Sequence, residues 1–151
     1  MADAPTHAGL TADMFVLRGD RFLTLERGPG RGEGLFYLPG GIVDPGEDPL
    51  SAAERETAEE CGLVVRDARI LRVWTYPTPE GFETIHATFV AWSDDGDVVL
   101  SNEHSGHRWT TVDGYVTRWC SPELESTFPE HSVWLRQVRR NCELVAAILD
   151  G

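Results

Sequence analysis

One stretch of the chain, residues 41–63, limits the possible folds and functions more than any other feature. Glu56, Glu59 and Glu60 stand at positions i, i+3 and i+4. On an α-helix their Cβ atoms fall within an arc of roughly 100°, so the three carboxylates share one face. Because like charges at this spacing repel one another, we expect a counter-charge on that face. A divalent cation with oxygen ligands supplies it, and Mg²⁺ is the natural candidate.

A solvent-exposed acidic helix is the alternative interpretation, since glutamate-rich surface helices are common. The register of the surrounding residues favours a functional site instead. The stretch resembles the Nudix box of Nudix hydrolases, Gly-x5-Glu-x7-Arg-Glu-U-x-Glu-Glu-x-Gly-U, where U is a bulky aliphatic residue. The matching positions are Gly41, Glu47, Arg55, Glu56, Glu59, Glu60, Gly62 and Leu63. Thr57 departs from the pattern at the first U position; the change weakens local packing but removes no metal ligand.

The resemblance implies a hydrolase of phosphoanhydrides that uses Mg²⁺, with Mn²⁺ as the alternative ion. A bound cation neutralises the phosphate oxygens and lowers the pKa of a bound water. By resemblance, Glu56 and Glu60 are the leading metal ligands and Glu59 lies beside them. Gly41 is expected to bring its backbone close to the metal, because it has no Cβ in the way.

Two further residues of the box are expected to support the carboxylates. By resemblance, Arg55 orients them rather than contacting substrate. Glu47 precedes the helix in a turn, where it either reaches the metal through water or pairs with Arg55.

The general base is expected outside the box. Glu103 lies in the segment Asn102-Glu103-His104, which resembles the Glu-His segment of some family members. It is our first candidate for the base or an additional metal ligand, and Glu60 is the second. The alternative for Glu103 is a solvated loop residue.

A planar nucleobase needs an aromatic stacking surface. The candidates are Trp74, Tyr76, Phe82 and Trp109, each of which could equally be a core residue. His104 is a candidate substrate contact at the mouth of the site, whereas His86, within a strand, is expected to be packed. Pro77 and Pro79 lie near the position where ADP-ribose-cleaving family members tend to have a proline.

The composition is that of one globular domain. The chain has 151 residues and a net charge of −12, so we expect no polymeric nucleic acid as a substrate. A phosphorylated small molecule remains compatible, because bound metal reverses the local charge. The three cysteines have no metal-binding spacing, and they predict reduced thiols in the cytoplasm. Nothing in the sequence approaches a signal peptide or a membrane span.

The order of elements predicts an α/β fold. We expect a flexible tail at residues 1–12 and a single domain at 13–151. Apolar patterning predicts a hairpin, a helix after the turn of the box, further strands and a C-terminal helix starting at Ser132. The expected strands lie at 14–17, 21–26, 35–38, 64–75, 82–92 and 98–101. This order resembles the Nudix fold, an α/β/α sandwich with a mixed sheet between helices, and many relatives of that kind dimerise.

Three functions remain open from the sequence. The first is hydrolysis of a nucleoside triphosphate, or of a nucleoside diphosphate linked to another group, such as ADP-ribose or a nucleotide sugar. The second is a non-catalytic nucleotide-binding Nudix module, although the complete set of box glutamates disfavours it. The third is an isoprenoid diphosphate isomerase, which expects a catalytic cysteine; Cys61, on the buried side of the helix, fits that role poorly.

Overall fold

A computed structural model describes residues 7–30, 32–77 and 81–151. The described residues form one seven-stranded sheet with helices on both faces. The strands are β1 (His7–Arg18), β2 (Arg21–Arg27), β3 (Phe36–Tyr37), β4 (Gly40–Ile42), β5 (Arg66–Pro77), β6 (Glu83–Trp92) and β7 (His104–Thr111). The helices are α1 (Pro49–Cys61), α2 (Val112–Trp119), α3 (Pro122–Thr127), a 3₁₀ turn (Pro129–His131) and α4 (Ser132–Asp150). No described helix has the length and apolar character that a membrane span requires.

The sheet is mixed, as the sequence predicts. Its central order is β3-β2-β1-β6-β5, with β4 paired to β1 and β7 paired to β2. Strand β1 runs parallel to β6 and antiparallel to β2 and β4. Because successive side chains of a strand point to opposite faces, β1 contributes to two cores. Met14 and Val16 pack in the core that includes α1, whereas Phe15 and Leu17 pack in the core that includes α2 and α4. The predicted α/β/α sandwich is therefore confirmed.

The first strand is longer than the sequence predicts. The predicted tail at residues 1–12 is wrong for residues 7–12, which belong to β1. Ala12 is fully buried and pairs with Gly41, so this part of the chain is held between β4 and β6. Residues 1–6 lie outside the described residues.

Helix α1 forms as the box predicts. Asp48 is the N-cap, and its carboxylate accepts a hydrogen bond from the Ser51 amide at 2.9 Å. Gly62 ends the helix in the left-handed conformation, with φ of 69°, which glycine adopts without steric cost. Thr57 is fully buried, and its hydroxyl donates to the Ala53 carbonyl at 2.7 Å. The polar atom of this departure from the box pattern is therefore satisfied within the helix.

The segment after β6 differs from the prediction. Residues 98–101 form no strand; they hydrogen-bond the end of α1, where the Ser101 amide donates to the Glu60 carbonyl at 3.1 Å. The next strand is β7, which pairs with β2, and neither it nor α2 and α3 were predicted from the sequence. Strand β7 is mostly polar and only partly buried, so it lacks the apolar alternation that identifies a strand. Strand β7 forms because it pairs with β2 along its whole length.

Candidate active site

Glu60 is the most enclosed carboxylate of the box. It is only 4% exposed, and its Oε1 accepts a hydrogen bond from the Gly40 amide at 3.3 Å. Its Oε2 lies 3.4 Å from Nε2 of His104. Burial, a hydrogen bond with Glu56 and the charge of Glu56 raise the pKa of Glu60 to about 9. Two carboxylates held this close in a buried setting favour a proton or a cation between them.

Two glycines make room for this arrangement. A Cβ on Gly41 would lie 2.6 Å from Oε1 of Glu56, and a Cβ on Gly40 would lie 2.5 Å from the carbonyl oxygen of Ala12. At either position a Cβ would force its neighbour to move. Gly41 therefore allows the Glu56 carboxylate to lie against the backbone of β4, and Gly40 allows β4 to approach β1 closely.

Arg55 hydrogen-bonds the other three glutamates of the box. Its Nε and Nη2 contact the two oxygens of Glu47 at 2.9 and 3.0 Å. Its Nη1 contacts Glu56 at 2.9 Å and Glu59 at 3.3 Å. The hydrogen bond from Arg55 holds the pKa of Glu47 below its usual range. Of the two roles expected for Glu47, the structure displays the pairing with Arg55.

Carboxylates are the type of ligand that a hard cation prefers. Among the described residues, however, no three Asp, Glu, His or Cys side chains are arranged to coordinate one ion. Glu56 and Glu59 hydrogen-bond Arg55 instead. The carboxylates of Glu56 and Glu60 offer oxygen ligands, which Mg²⁺ prefers. Burial and the neighbouring Glu56 raise the pKa of Glu60, and a bound cation would offset the repulsion between the two carboxylates.

A cleft of about 420 Å³ opens beside Glu60. Its described lining combines acidic, basic and aromatic residues: Arg27, Gly28, Pro29, Tyr37, Leu38, Gly40, Glu60, Glu103 and His104. The structure thus brings the downstream candidates Glu103 and His104 to the same cleft as Glu60. The Gly28 amide donates to the Glu103 carbonyl at 3.0 Å and ties the two loops together.

Arg27 and Tyr37 also line the cleft, although no sequence pattern had pointed to them. The Arg27 guanidinium lies 5.0 Å from the centroid of the Tyr37 ring, a cation–π distance. Arg27 ends β2 directly before the glycine-rich loop. Arg27 could have been predicted from its position, because a chain of net charge −12 has few cationic side chains that could bind an anionic substrate.

The aromatic candidates lie apart from the cleft. Trp109 packs against the α1 core under the Arg18 guanidinium, which is 4.5 Å from its ring. Trp74 is buried, and its indole N–H donates to Thr88 at 2.9 Å. Tyr76 stacks beside Trp74, with ring centroids 5.9 Å apart. Of the predicted substrate contacts, only His104 is among the described cleft residues. Pro79 lies outside the described residues.

The comparisons with known proteins identify the class. The family model for the NUDIX domain matches residues 7–137, and the chain therefore belongs to the Nudix family. It is 33% identical over 87 residues to an NAD-capped RNA hydrolase NudC of Chromobacterium violaceum, covering 58% of this chain and 32% of that protein. It is 32% identical over 71 residues to an ADP-ribose pyrophosphatase of Methanocaldococcus jannaschii, covering 47% of this chain and 42% of that protein.

A solved structure supports the fold over a larger share of the chain. A C. elegans Ap4A hydrolase in a binary complex superposes with a TM-score of 0.64 at 25% identity. The match covers 86% of this chain and 99% of that one. By contrast, the chain spans less than half the length of the NudC and ADP-ribose pyrophosphatase relatives.

Proposed function

We propose that the chain is a metal-dependent pyrophosphohydrolase that cleaves the diphosphate bond of a nucleoside triphosphate or of a nucleoside diphosphate linked to another group. The observation that carries the proposal is the cleft in which buried Glu60, exposed Glu103 and Arg27 converge. The named activities of the relatives agree with it. NAD-capped RNA, ADP-ribose and Ap4A all contain a nucleoside joined through a phosphoanhydride.

Glu56 and Glu60 would hold the cation, with Glu59 beside them and the backbone of Gly41 nearby. When bound, Mg²⁺ or Mn²⁺ supplies charge neutralisation of the phosphates and a water of lowered pKa. Arg55 acts as a positioning residue, because one guanidinium joins Glu47, Glu56 and Glu59.

The remaining cleft residues supply the other parts of the reaction. Glu103 is proposed to accept the proton of the attacking water at its carboxylate. Arg27, which lines the same cleft, provides a cation for the phosphate oxygens. Burial lowers the pKa of His104, which keeps its imidazole neutral near pH 7 beside Glu60.

The substrate is proposed to be a small molecule, since a net charge of −12 opposes binding to a polymeric phosphate backbone. A cytoplasmic setting agrees with three free and buried cysteines.

The deciding experiment incubates the purified protein with Mg²⁺ and a panel of dNTPs, NTPs, ADP-ribose, nucleotide sugars and dinucleoside polyphosphates, and identifies products by chromatography. At least one phosphoanhydride should be cleaved, and EDTA should abolish the cleavage. Turnover that survives metal removal would contradict the mechanism. Binding without any turnover would instead support a non-catalytic nucleotide-binding module.

A further inference from the structure

Two polar side chains outside the box lie together on the α4 face of the sheet. Asp13 of β1 pairs with Thr88 of β6, and His86 is two residues before Thr88, so all three side chains point to one face. Oδ2 of Asp13 lies 3.9 Å from Nδ1 of His86, which is too long for a hydrogen bond. Within the described part of the chain, Oδ1 of Asp13 and both ring nitrogens of His86 are buried without a hydrogen-bond partner.

Buried polar atoms without partners are rare, because burying them costs free energy that a hydrogen bond would offset. Here three such atoms lie on two neighbouring strands at the centre of the sheet. Neither residue belongs to the box or to the described lining of the cleft. A bound group with complementary donors and acceptors would satisfy these atoms.

Aromatic rings fix the orientation of the imidazole. The His86 ring stacks on Trp74 with centroids 4.3 Å apart and an interplanar angle of 16°. The Tyr76 ring lies 5.5 Å away at 31°. Because the indole N–H of Trp74 already donates to Thr88, Trp74 acts as an apolar wall. The hydrogen-bonding edge of His86 is thereby held in a set direction beside Asp13.

The strand that carries Asp13 pairs with β4, and β4 contacts the carboxylate of Glu60. Asp13 faces Gly40 across the β1–β4 pair. A Cβ on Gly40 would lie 2.7 Å from Cβ of Asp13, so the two backbones are in close contact. The Gly40 amide also donates to Glu60. Gly40 thus contacts both the strand that carries Asp13 and the carboxylate of Glu60.

We propose that Asp13 and His86 are specificity residues that recognise a nucleobase with an amino group beside a ring nitrogen, as in adenine. This inference rests on the proposed function. The Asp13 carboxylate accepts from the amino group, and the His86 ring N–H donates to the ring nitrogen. Hypoxanthine presents a carbonyl oxygen in place of the amino group, and that oxygen would face the carboxylate without a proton between them.

The test measures binding in EDTA, where no metal-dependent turnover occurs. Dissociation constants of AMP and IMP are determined by ligand-observed NMR for the wild-type protein and for Asp13→Asn. The wild type should prefer AMP by about tenfold or more, since a polar site rejects an analogue that leaves its groups unpaired. In Asp13→Asn the preference should vanish or reverse, because an amide can donate to the carbonyl of hypoxanthine.

Asp20→Asn is the matched control. It makes the same change in charge at an exposed turn, where the Asp20 side chain is 82% exposed, and it should keep the wild-type preference. Equal affinity of the wild type for AMP and IMP would overturn the proposal, as would an unchanged preference in a folded Asp13→Asn. If Asp13→Asn does not fold, as judged by circular dichroism, the AMP and IMP affinities of His86→Gln are compared with those of the wild type instead.

The two proposals can fail separately. Cleavage of the substrate panel without any preference between AMP and IMP would remove the base-recognition role and leave the hydrolase intact. A preference that Asp13→Asn abolishes, without turnover of any substrate, would support base recognition and remove the hydrolase.

Discussion

Glu60 and Glu103, the two acidic residues in the described lining of the cleft, differ in burial. Glu60 is 4% exposed and is surrounded by the Gly40 amide, His104 and Glu56. Glu103 is exposed in the loop before β7. A buried carboxylate beside another carboxylate suits cation binding, whereas an exposed one can exchange protons with solvent. At the scale of single residues, this difference supports the proposal that Glu60 binds the metal and Glu103 is the base.

The metal-binding role predicts severe losses on neutralisation. Glu56→Gln and Glu60→Gln should each lower kcat by ~10² or more, because an amide is a poorer ligand of nearly the same shape. That loss corresponds to about 2.7 kcal/mol of transition-state stabilisation. Glu54→Gln, an exposed position on the same helix, should be unaffected. Unchanged steady-state rates in both test variants, with normal circular dichroism, would refute the assignment.

The base role predicts a different kinetic pattern. Glu103→Gln should lower kcat by ~10²–10⁴ with a modest change in KM, as expected for loss of general-base catalysis. Activity should partly recover as the pH rises, because hydroxide replaces the missing base. Glu33→Gln, another exposed loop position, is the control. If Glu103→Gln keeps the wild-type kcat from pH 6 to pH 9, the base role passes to Glu60.

At the scale of elements, the site depends on how closely α1 and β1 approach β4. Gly41 faces the Glu56 side chain, whereas Gly40 faces the backbone of β1. A side chain can move aside, but the backbone of a central strand cannot do so without disturbing the sheet.

Alanine at these two glycines should therefore have different effects. Gly41→Ala should displace the Glu56 carboxylate, lowering kcat while the melting temperature stays nearly the same. Gly40→Ala should destabilise the protein by about 1–3 kcal/mol through overpacking. Thermal denaturation and steady-state kinetics on both variants check this contrast. Equal effects of the two variants on stability and activity would contradict it.

At the scale of the whole molecule, the acidic site makes stability depend on pH. The pKa of Glu60 is about 9 in the folded protein, against an ordinary value of 4.5. Between these values the folded state keeps a proton that the unfolded state has lost. The stabilisation is complete below the unfolded pKa and is lost as the pH rises through the folded pKa.

The metal-free protein should consequently become less stable from about pH 5 to pH 9, by at most about 1.4 kcal/mol per pH unit. Glu60→Gln should flatten this dependence, since glutamine carries no titrating proton. Urea unfolding in EDTA across that pH range provides the measurement, with Glu54→Gln as the control. A parallel slope in the Glu60→Gln variant would show that other groups cause the pH dependence.

Local patterns in the sequence determined one half of the candidate site. The helix of the box, its Asp48 cap, its terminal Gly62 and the shared face of its glutamates follow from helical periodicity and turn chemistry. These depend only on residues a few positions apart. The same local spacing carried the family assignment.

The tertiary structure alone decided the other half. Glu103, His104 and Arg27 meet Glu60 because β7 pairs with β2, yet β7 is mostly polar and has no local strand signal. Likewise, the parallel pairing of β1 with β6 brings Asp13 beside His86. The register between strands distant in sequence depends on which faces are buried in the finished sheet, and spacing along the chain does not encode it.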